Sequence, residues 1–311
     1  MRKLFTFASA VFLIILLSGC ALDEEIPAVK DAGSDKVQIT ATLFPQYDFA
    51  KQIAGDRAEV SLLLPPGAES HSYEPAPSDI ININASDLFI YTGENMEIWS
   101  QKIVDSIKNS DSKSMVLDVS EGIELNAHED QGHMDHIIDP HIWTDPLYAK
   151  IMAEDIRDAL CRIDPVNAEY YKDNAAEYIA ELDALDAEFK TIISNGKRNV
   201  IIFGSRFALY HFTKRYGLEY HAAFDSCSSE TEPSAKEVAK LIDKIHEENI
   251  PVIYYAEMED PKTARAISSE TGAKMLLFHS CHNLTKEEFE SGATYLSLMR
   301  QNAENLKEGL K

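Results

Sequence analysis

Glycine is scarce in this chain. Only 13 of 311 residues are glycine, and none stand in the G-x-G-x-x-G order that lets a backbone approach a dinucleotide pyrophosphate. No glycine-rich phosphate loop and no nucleophile elbow is present either, so dinucleotide enzymes, phosphate-loop enzymes and elbow-type hydrolases lose their main support. Positive charge is equally thin: 29 Lys and Arg face 52 Asp and Glu, a net charge of −23. Such a field repels nucleic acid and anionic headgroups over any long range, which excludes nucleic acid as a partner. It also attracts cations, although a charge excess is ordinarily no more than a solvated surface. There are four cysteines, and beyond the first twenty residues there is no long apolar run.

That one run begins the chain. "MRKLFTFASAVFLIILLSGC" has a basic start at Arg2 and Lys3, an apolar stretch too short and too early for a stable membrane span, and small residues before Cys20. It reads as an export signal over residues 1–19, and losing Arg2 and Lys3 with it takes the charge from −23 to −25. The ending "LSGC" resembles the lipobox of bacterial lipoproteins, which implies lipidation at Cys20 and a polar tether over residues 20–36. In an oxidising compartment the remaining Cys161, Cys227 and Cys281 suggest one bridge and one free thiol. Cys161 lies in the apolar-periodic "IRDALCRI", whereas Cys227 and Cys281 lie in polar, loop-like stretches, so a Cys227–Cys281 disulfide is expected. The competing reading makes one of those sulfurs a metal ligand.

The length suits two domains of about 120 to 150 residues. From residue 37 short β-rich runs alternate with helical ones ("VQITATL", "YDFAKQIAG", "AEVSLLLP", "SDIININAS", "DLFIYTG"), and a second series runs from "RNVIIFG" to "AKMLLFH". Strands separated by helices imply parallel pairing through crossovers. The expected fold is α/β: two Rossmann-like lobes with parallel sheets, residues 37–163 and 197–311, with a cleft between them. Residues 164–196 carry apolar side chains at helical spacing, with Asp164 as a plausible N-cap, Pro165 at the first position and Gly196 as the stop. About thirty residues at 1.5 Å each make a rod of roughly 45 Å, a stiff connector rather than a flexible linker.

The histidines carry the chemistry. His71 lies in "PPGAESHSYEP" after the strand "VSLLL"; His141 lies in "DPHIWTDP", where Pro140 and Pro146 forbid a helix interior; His279 and His282 lie in "FHSCHN" after "KMLLF". All fall where strands of an α/β sheet should end, at the crevice where such sheets bind ligands. A lone histidine is more often a packed or surface residue than a ligand, but several in loops at the sheet ends of both lobes point to a site. Imidazole nitrogen suits Zn²⁺ and other first-row divalent ions. His128, His133 and His136, interleaved with Glu129, Asp130 and Asp135, lack hydrophobic periodicity and read as a mobile loop able to collect metal weakly.

A lipobox, "HSYEP", "DPHIWTDP", a long helix after "RIDP", "FTKRYGLEY", "YYAEMEDPKTARAISSETGAK" and "TYLSLMRQNAENLKEGL", in this order, resemble the zinc and manganese solute-binding lipoproteins of ABC metal importers, the cluster A-I or ZnuA/TroA-like group. The resemblance covers essentially the whole mature chain. It implies binding without catalysis, metal held between two lobes joined by a rigid helix, and delivery to an ABC permease from a lipid anchor on the outer face of the cell membrane. His71 and His141 match the family's first two ligands. The third, usually His or Glu about ten residues before Tyr-Gly-Leu, is here Arg206, which cannot ligate. The usual fourth, an aspartate after the last strand, falls at "HSCHN". His282 is therefore expected to complete the site, with His279, His221 and Glu230 (or Glu232) in reserve and His211 structural. Glu257, at the end of "YYAE", is a candidate partner for Arg206.

A histidine-dominated set favours Zn²⁺, with Mn²⁺ as the alternative for a harder, carboxylate-rich site. Two other classes compete. A metallohydrolase would need a carboxylate base beside an open coordination position, and no H-E-x-x-H is present. An adhesin would use the same fold for binding host surfaces.

Overall fold

The computed structural model describes residues 36–110, 112–123, 138–224, 233–258 and 260–311, together with the backbone of 127–129, 136 and 137. The first sheet is built from β1 (Val37–Ala41), β2 (Ala58–Leu62), β3 (Leu88–Tyr91) and β4 (Met115–Asp118), in the order β2-β1-β3-β4 and wholly parallel. Helices α1 (Phe44–Ala54), α2 (Pro77–Ala85) and α3 (Ser100–Lys108) make the crossovers. All four residues of β3 are buried, as expected for an inner strand covered on both faces. A short antiparallel ribbon of β5 (Ala127–Glu129) and β6 (His136–Ile138) follows. It corrects the expectation of an irregular loop: Glu129 pairs with His136 and His128 with Ile137, a register too brief to leave a hydrophobic period in the sequence. His133 lies outside the described residues.

Helix α4 (Pro146–Ile163) returns along the sheet and is capped by Asp145, whose carboxylate accepts from the Leu147 N–H at 2.8 Å. The long helix α5 spans Ala168–Ser194 and buries Tyr171, Ala175, Tyr178, Leu182, Leu185 and Phe189, a stripe spaced alternately by four and three residues. Its start differs from the sequence reading. A single 3₁₀ turn, Pro165–Asn167, precedes it, and Asp164 accepts from Tyr171 Oη at 2.6 Å and Asn167 Nδ2 at 2.7 Å instead of capping the helix.

The second sheet, β7 (Val200–Arg206), β8 (Glu219–Phe224), β9 (Val252–Tyr255) and β10 (Lys274–Leu277), is also parallel, in the order β10-β9-β7-β8. Its crossovers are α6 (Tyr210–Tyr216), α7 (Ala235–Glu248) and α8 (Lys262–Thr271), and the chain ends in α9 (Lys286–Ser291) and α10 (Tyr295–Gly309). One apolar core runs through both sheets and α5, from Ile39 and Phe49 through Trp143 and Tyr178 to Phe203, Phe278 and Tyr295, and the described residues fall within a single compact unit. Among them no helix is long and apolar enough to cross a membrane.

Candidate metal centre

The loop carrying His71 leaves the carboxyl end of β2 through a type II turn. Ala68 N–H donates to Pro65 C=O at 3.0 Å, Pro66 takes the second position, and Gly67 adopts the φ of +84° that the third position requires. The second lobe grips this loop. Asn283, fully buried, donates from Nδ2 to Pro65 C=O at 2.9 Å and Ala68 C=O at 2.8 Å, while Gly67 N–H donates to Leu284 C=O at 2.7 Å. Beyond His71, Tyr73 donates to Asp79 at 3.0 Å and ties the loop to α2.

His141 sits at the head of the 3₁₀ turn Ile142–Thr144 and is 1% exposed. Asp139 Oδ1 lies 2.8 Å from both its backbone N–H and its Nδ1. Burial alone would push the Asp139 carboxyl up, but the adjacent His141, with His211 beyond it, holds it down at about 2. The carboxylate thus fixes the imidazole tautomer with the proton on Nδ1 and leaves Nε2 as the opposite, buried edge of the ring. Trp143 of the same motif donates from Nε1 to Ser280 C=O at 2.8 Å, a bond between the "DPHIW" stretch and the "HSCHN" stretch.

His282 follows β10 in the second lobe. Its Nδ1 lies 2.5 Å from Ser280 Oγ and 3.4 Å from Glu257 Oε1, and Glu257 in turn accepts from Ser280 N–H at 2.9 Å and Ser280 Oγ at 2.5 Å. Burial, reinforced by the neighbouring imidazoles and opposed by Glu257, pulls the His282 imidazole down to about 4, so it is neutral at physiological pH. Burial pushes the Glu257 carboxyl up, yet His279 and His282 hold it below its ordinary value.

The three rings converge. His71 and His141 have centroids 5.4 Å apart, His141 and His282 6.2 Å, His71 and His282 6.3 Å, and His71 Nε2 is a buried nitrogen with no hydrogen-bond partner among the described residues. Three imidazoles on a tetrahedral ion at about 2.05 Å would place their centroids about 5.2 Å apart. The His71–His141 pair already meets that spacing. His282 stands about 1 Å wide, and accordingly no group of three or more His, Cys, Asp or Glu side chains among the described residues is yet closed around one point. Imidazole nitrogens at this spacing fit a borderline divalent cation.

The other sequence candidates lie elsewhere or outside the described residues. His279 is 1% exposed and held by Asn302 through both backbone groups, with Nδ1 accepting from Cys281 N–H at 2.9 Å and Nε2 3.6 Å from Glu288. With Nδ1 taken by the Cys281 N–H and Nε2 facing Glu288, its ring stands apart from the three converging imidazoles. His221 pairs with Glu219 at 3.0 Å on β8, and His211 donates from Nε2 to Asp139 C=O at 2.8 Å, a structural bond between lobes. Arg206 pairs with Glu69 at 3.4 Å rather than with Glu257, whose oxygens are taken by Ser280. Cys281 is a free thiol, fully buried in the common core with Sγ 3.8 Å from His279 C=O, so the expected bridge to Cys227 is not made from this side. Cys20, Cys227, Glu230 and Glu232 lie outside the described residues. Sequence reasoning missed Glu69, Ser280 and Asn283, each of which also bonds a residue remote in the chain, Arg206, Trp143 and Pro65 respectively; Asp139, two residues before His141, was visible in the quoted motif.

With this geometry in view, comparison with known proteins is decisive. The family described as zinc-uptake complex component A, periplasmic, matches residues 39–309. The chain belongs to this family. It is 34% identical to the high-affinity zinc uptake system protein ZnuA of Bacillus subtilis, across 97% of this chain and 95% of that one. It is 33% identical to the zinc-binding lipoprotein AdcA of Streptococcus pneumoniae, covering 95% of this chain but 60% of that longer protein. The crystal structure of the Zn(II)-bound ZnuA-like domain of the same AdcA superposes with a TM-score of 0.76 at 32% identity, over 89% of this chain and 99% of the domain.

Proposed function

We propose that the chain is an extracytoplasmic zinc receptor, anchored by lipid at Cys20, that holds Zn²⁺ between His71, His141 and His282 and delivers it to an ABC import permease. The observation that carries this is the convergence of three imidazoles from both lobes, with His141 and His282 held from behind by Asp139 and by Ser280 with Glu257. The relatives' zinc-uptake and zinc-binding names support the ion and the importer, and the all-nitrogen set favours zinc over manganese. His128, His133 and His136 serve as an accessory capturing segment.

Binding rather than turnover is the task of such a site. The His141 carboxylate partner fixes one donor before the ion arrives, and Ser280 orients another, so that little reorganisation accompanies capture. Diffraction at the zinc absorption edge, with competition titration of zinc against manganese, tests the reading. An anomalous peak equidistant from the three Nε2 atoms and a marked zinc preference are expected; a peak elsewhere, or tighter manganese binding, refutes it. Deleting residues 127–136 should leave the tight site intact and lower the total metal bound.

A further inference from the structure

We propose that Asn283 is the positioning residue for His71: the second lobe supplies not only His282 but, through the next residue in the chain, the hold that keeps His71 in the site. This rests on the reading of His71, His141 and His282 as the metal donors. His71 differs from the other two rings in how it is held. Asp139 stands on Nδ1 of His141 and Ser280 on Nδ1 of His282, whereas the His71 ring has no such hydrogen-bonded partner among the described residues. Its place is therefore set by its backbone. The first lobe's grip on that backbone stops at Leu63 and Leu64, whose N–H groups donate to Ala41 C=O at 2.8 Å and Thr42 C=O at 3.1 Å, and resumes at Tyr73.

Between those points, among the described residues, every hydrogen bond or ion pair of residues 65–69 that leaves the loop reaches the second lobe: Asn283 to Pro65 and Ala68, Leu284 to Gly67, and Arg206 to Glu69. Close packing does not replace these bonds, because a cavity of about 150 Å³ has Gly67, Glu69 and His71 of the loop and Arg206, Glu257 and His282 of the second lobe in its wall. Asn283 suits the task. It is fully buried, and Nδ2 uses both its hydrogens on the carbonyls of the first and last residues of the Pro65–Ala68 turn, while Oδ1 accepts from Leu284 N–H at 2.8 Å and so fixes which end of the amide faces the loop. A carboxylate there would face two carbonyl oxygens with no hydrogen to give, and an apolar side chain would take from Ala68 C=O its donor. Because Asn283 directly follows His282, with consecutive Cα atoms about 3.8 Å apart, ligands from two lobes are tied to one short segment.

The test is a competition titration for zinc on the mature chain, run as a double-mutant cycle, with the visible absorption of the Co²⁺-loaded protein as a second reading of the donor set. Asn283→Ala should weaken zinc binding about tenfold to a hundredfold, the range for a partner one step behind a ligand. In a His71→Ala background the same substitution should cost less than about twofold more, because the donor it places is gone; in an Asp139→Asn background, where only the support of His141 is altered, it should cost its full amount again. The Co²⁺ spectrum of Asn283→Ala should move toward that of His71→Ala, a change that lost stability alone does not produce. Asn283→Ser carries the same cycle if the alanine protein does not fold. An Asn283 variant with parental affinity or a parental Co²⁺ spectrum, or one whose loss is as large without His71 as with it, overturns the proposal. His71→Ala alone reports on the underlying site: a large loss of zinc upholds it whatever Asn283 does, and parental affinity would sink the site reading itself.

Discussion

His141 and His282 face one another across the same centre and are supported in different ways. His141 is almost wholly enclosed, receives a carboxylate directly on Nδ1, and sits in a turn fixed by two prolines, the Asp145 cap and Trp143. His282 keeps 15% of its side chain exposed and meets its carboxylate chiefly through Ser280. It follows Cys281, a non-glycine residue at φ +63°, a conformation that costs of order 1 kcal/mol or more. It also borders the cavity. His141 is thus the more enclosed and more directly supported ring of the two.

Breaking the comparison at its strongest point should give the largest effect. His141→Ala and His71→Ala should each weaken zinc binding by more than the 10- to 100-fold typical of losing an outer-shell partner, with His282→Ala weaker in effect than either. Competition titration reads the order, and a His282 variant more damaged than the His141 variant would reverse this comparison of the two rings. One step out, Asp139→Asn should cost about tenfold to a hundredfold in affinity, and Glu257→Gln less, because Glu257 acts mostly through Ser280. Equal losses would show that both carboxylates work alike.

A smaller effect is expected from Trp143→Phe, which removes the Nε1 bond to Ser280 and leaves a buried carbonyl without that donor. Stability should fall by about 1–3 kcal/mol in denaturant unfolding, with a lesser loss of zinc affinity. An affinity loss exceeding that of Asp139→Asn would mean that joining the lobes matters more than orienting the rings.

The gentlest probe lies in the N-terminal lobe away from the rings. Glu97 is 2% exposed, and burial, helped by Asp118 and opposed by hydrogen bonds from Thr42 and Thr92, pushes its carboxyl from 4.5 up to about 8. A raised folded-state value means that the neutral form stabilises the fold fully below about pH 4.5 and that this stabilisation is lost as pH rises through about 8. Glu97→Gln should therefore flatten the fall in melting temperature of the metal-free protein between pH 5.5 and 8.5. An unchanged slope would place the pH dependence in another group.

Much of the fold was legible because its signals are local. A parallel strand buried on both faces, such as β3, is a short apolar run, and α5 announces itself by one stripe from Tyr171 to Phe189. Where the local signal is short, reading failed: β5 and β6 are three residues each, and the Pro165–Asn167 turn displaced the expected helix start. Helix α9 was readable but overlooked, since Thr285 and Glu288 form a capping box three residues apart. At the site, His71 and His141 were legible from their motifs. The pairing of Arg206 with Glu69 was not, because Glu69 is 137 residues away and nothing local marks it.

The sequence by itself determined the two alternating α/β series, the stiff connecting helix, the family, and the donor type, because hydrophobic periods, caps and imidazole chemistry are properties of neighbouring residues. Only the tertiary structure decided how near the rings of His71, His141 and His282 come, that His279 is held by Asn302 and lies beside Glu288, that Cys281 faces the core, and that Arg206 borders a cavity beside the rings. Those outcomes depend on how two sheets pack through α5 and the Trp143–Ser280 and Asn283–Pro65 bonds, contacts between residues more than a hundred positions apart that no local pattern encodes.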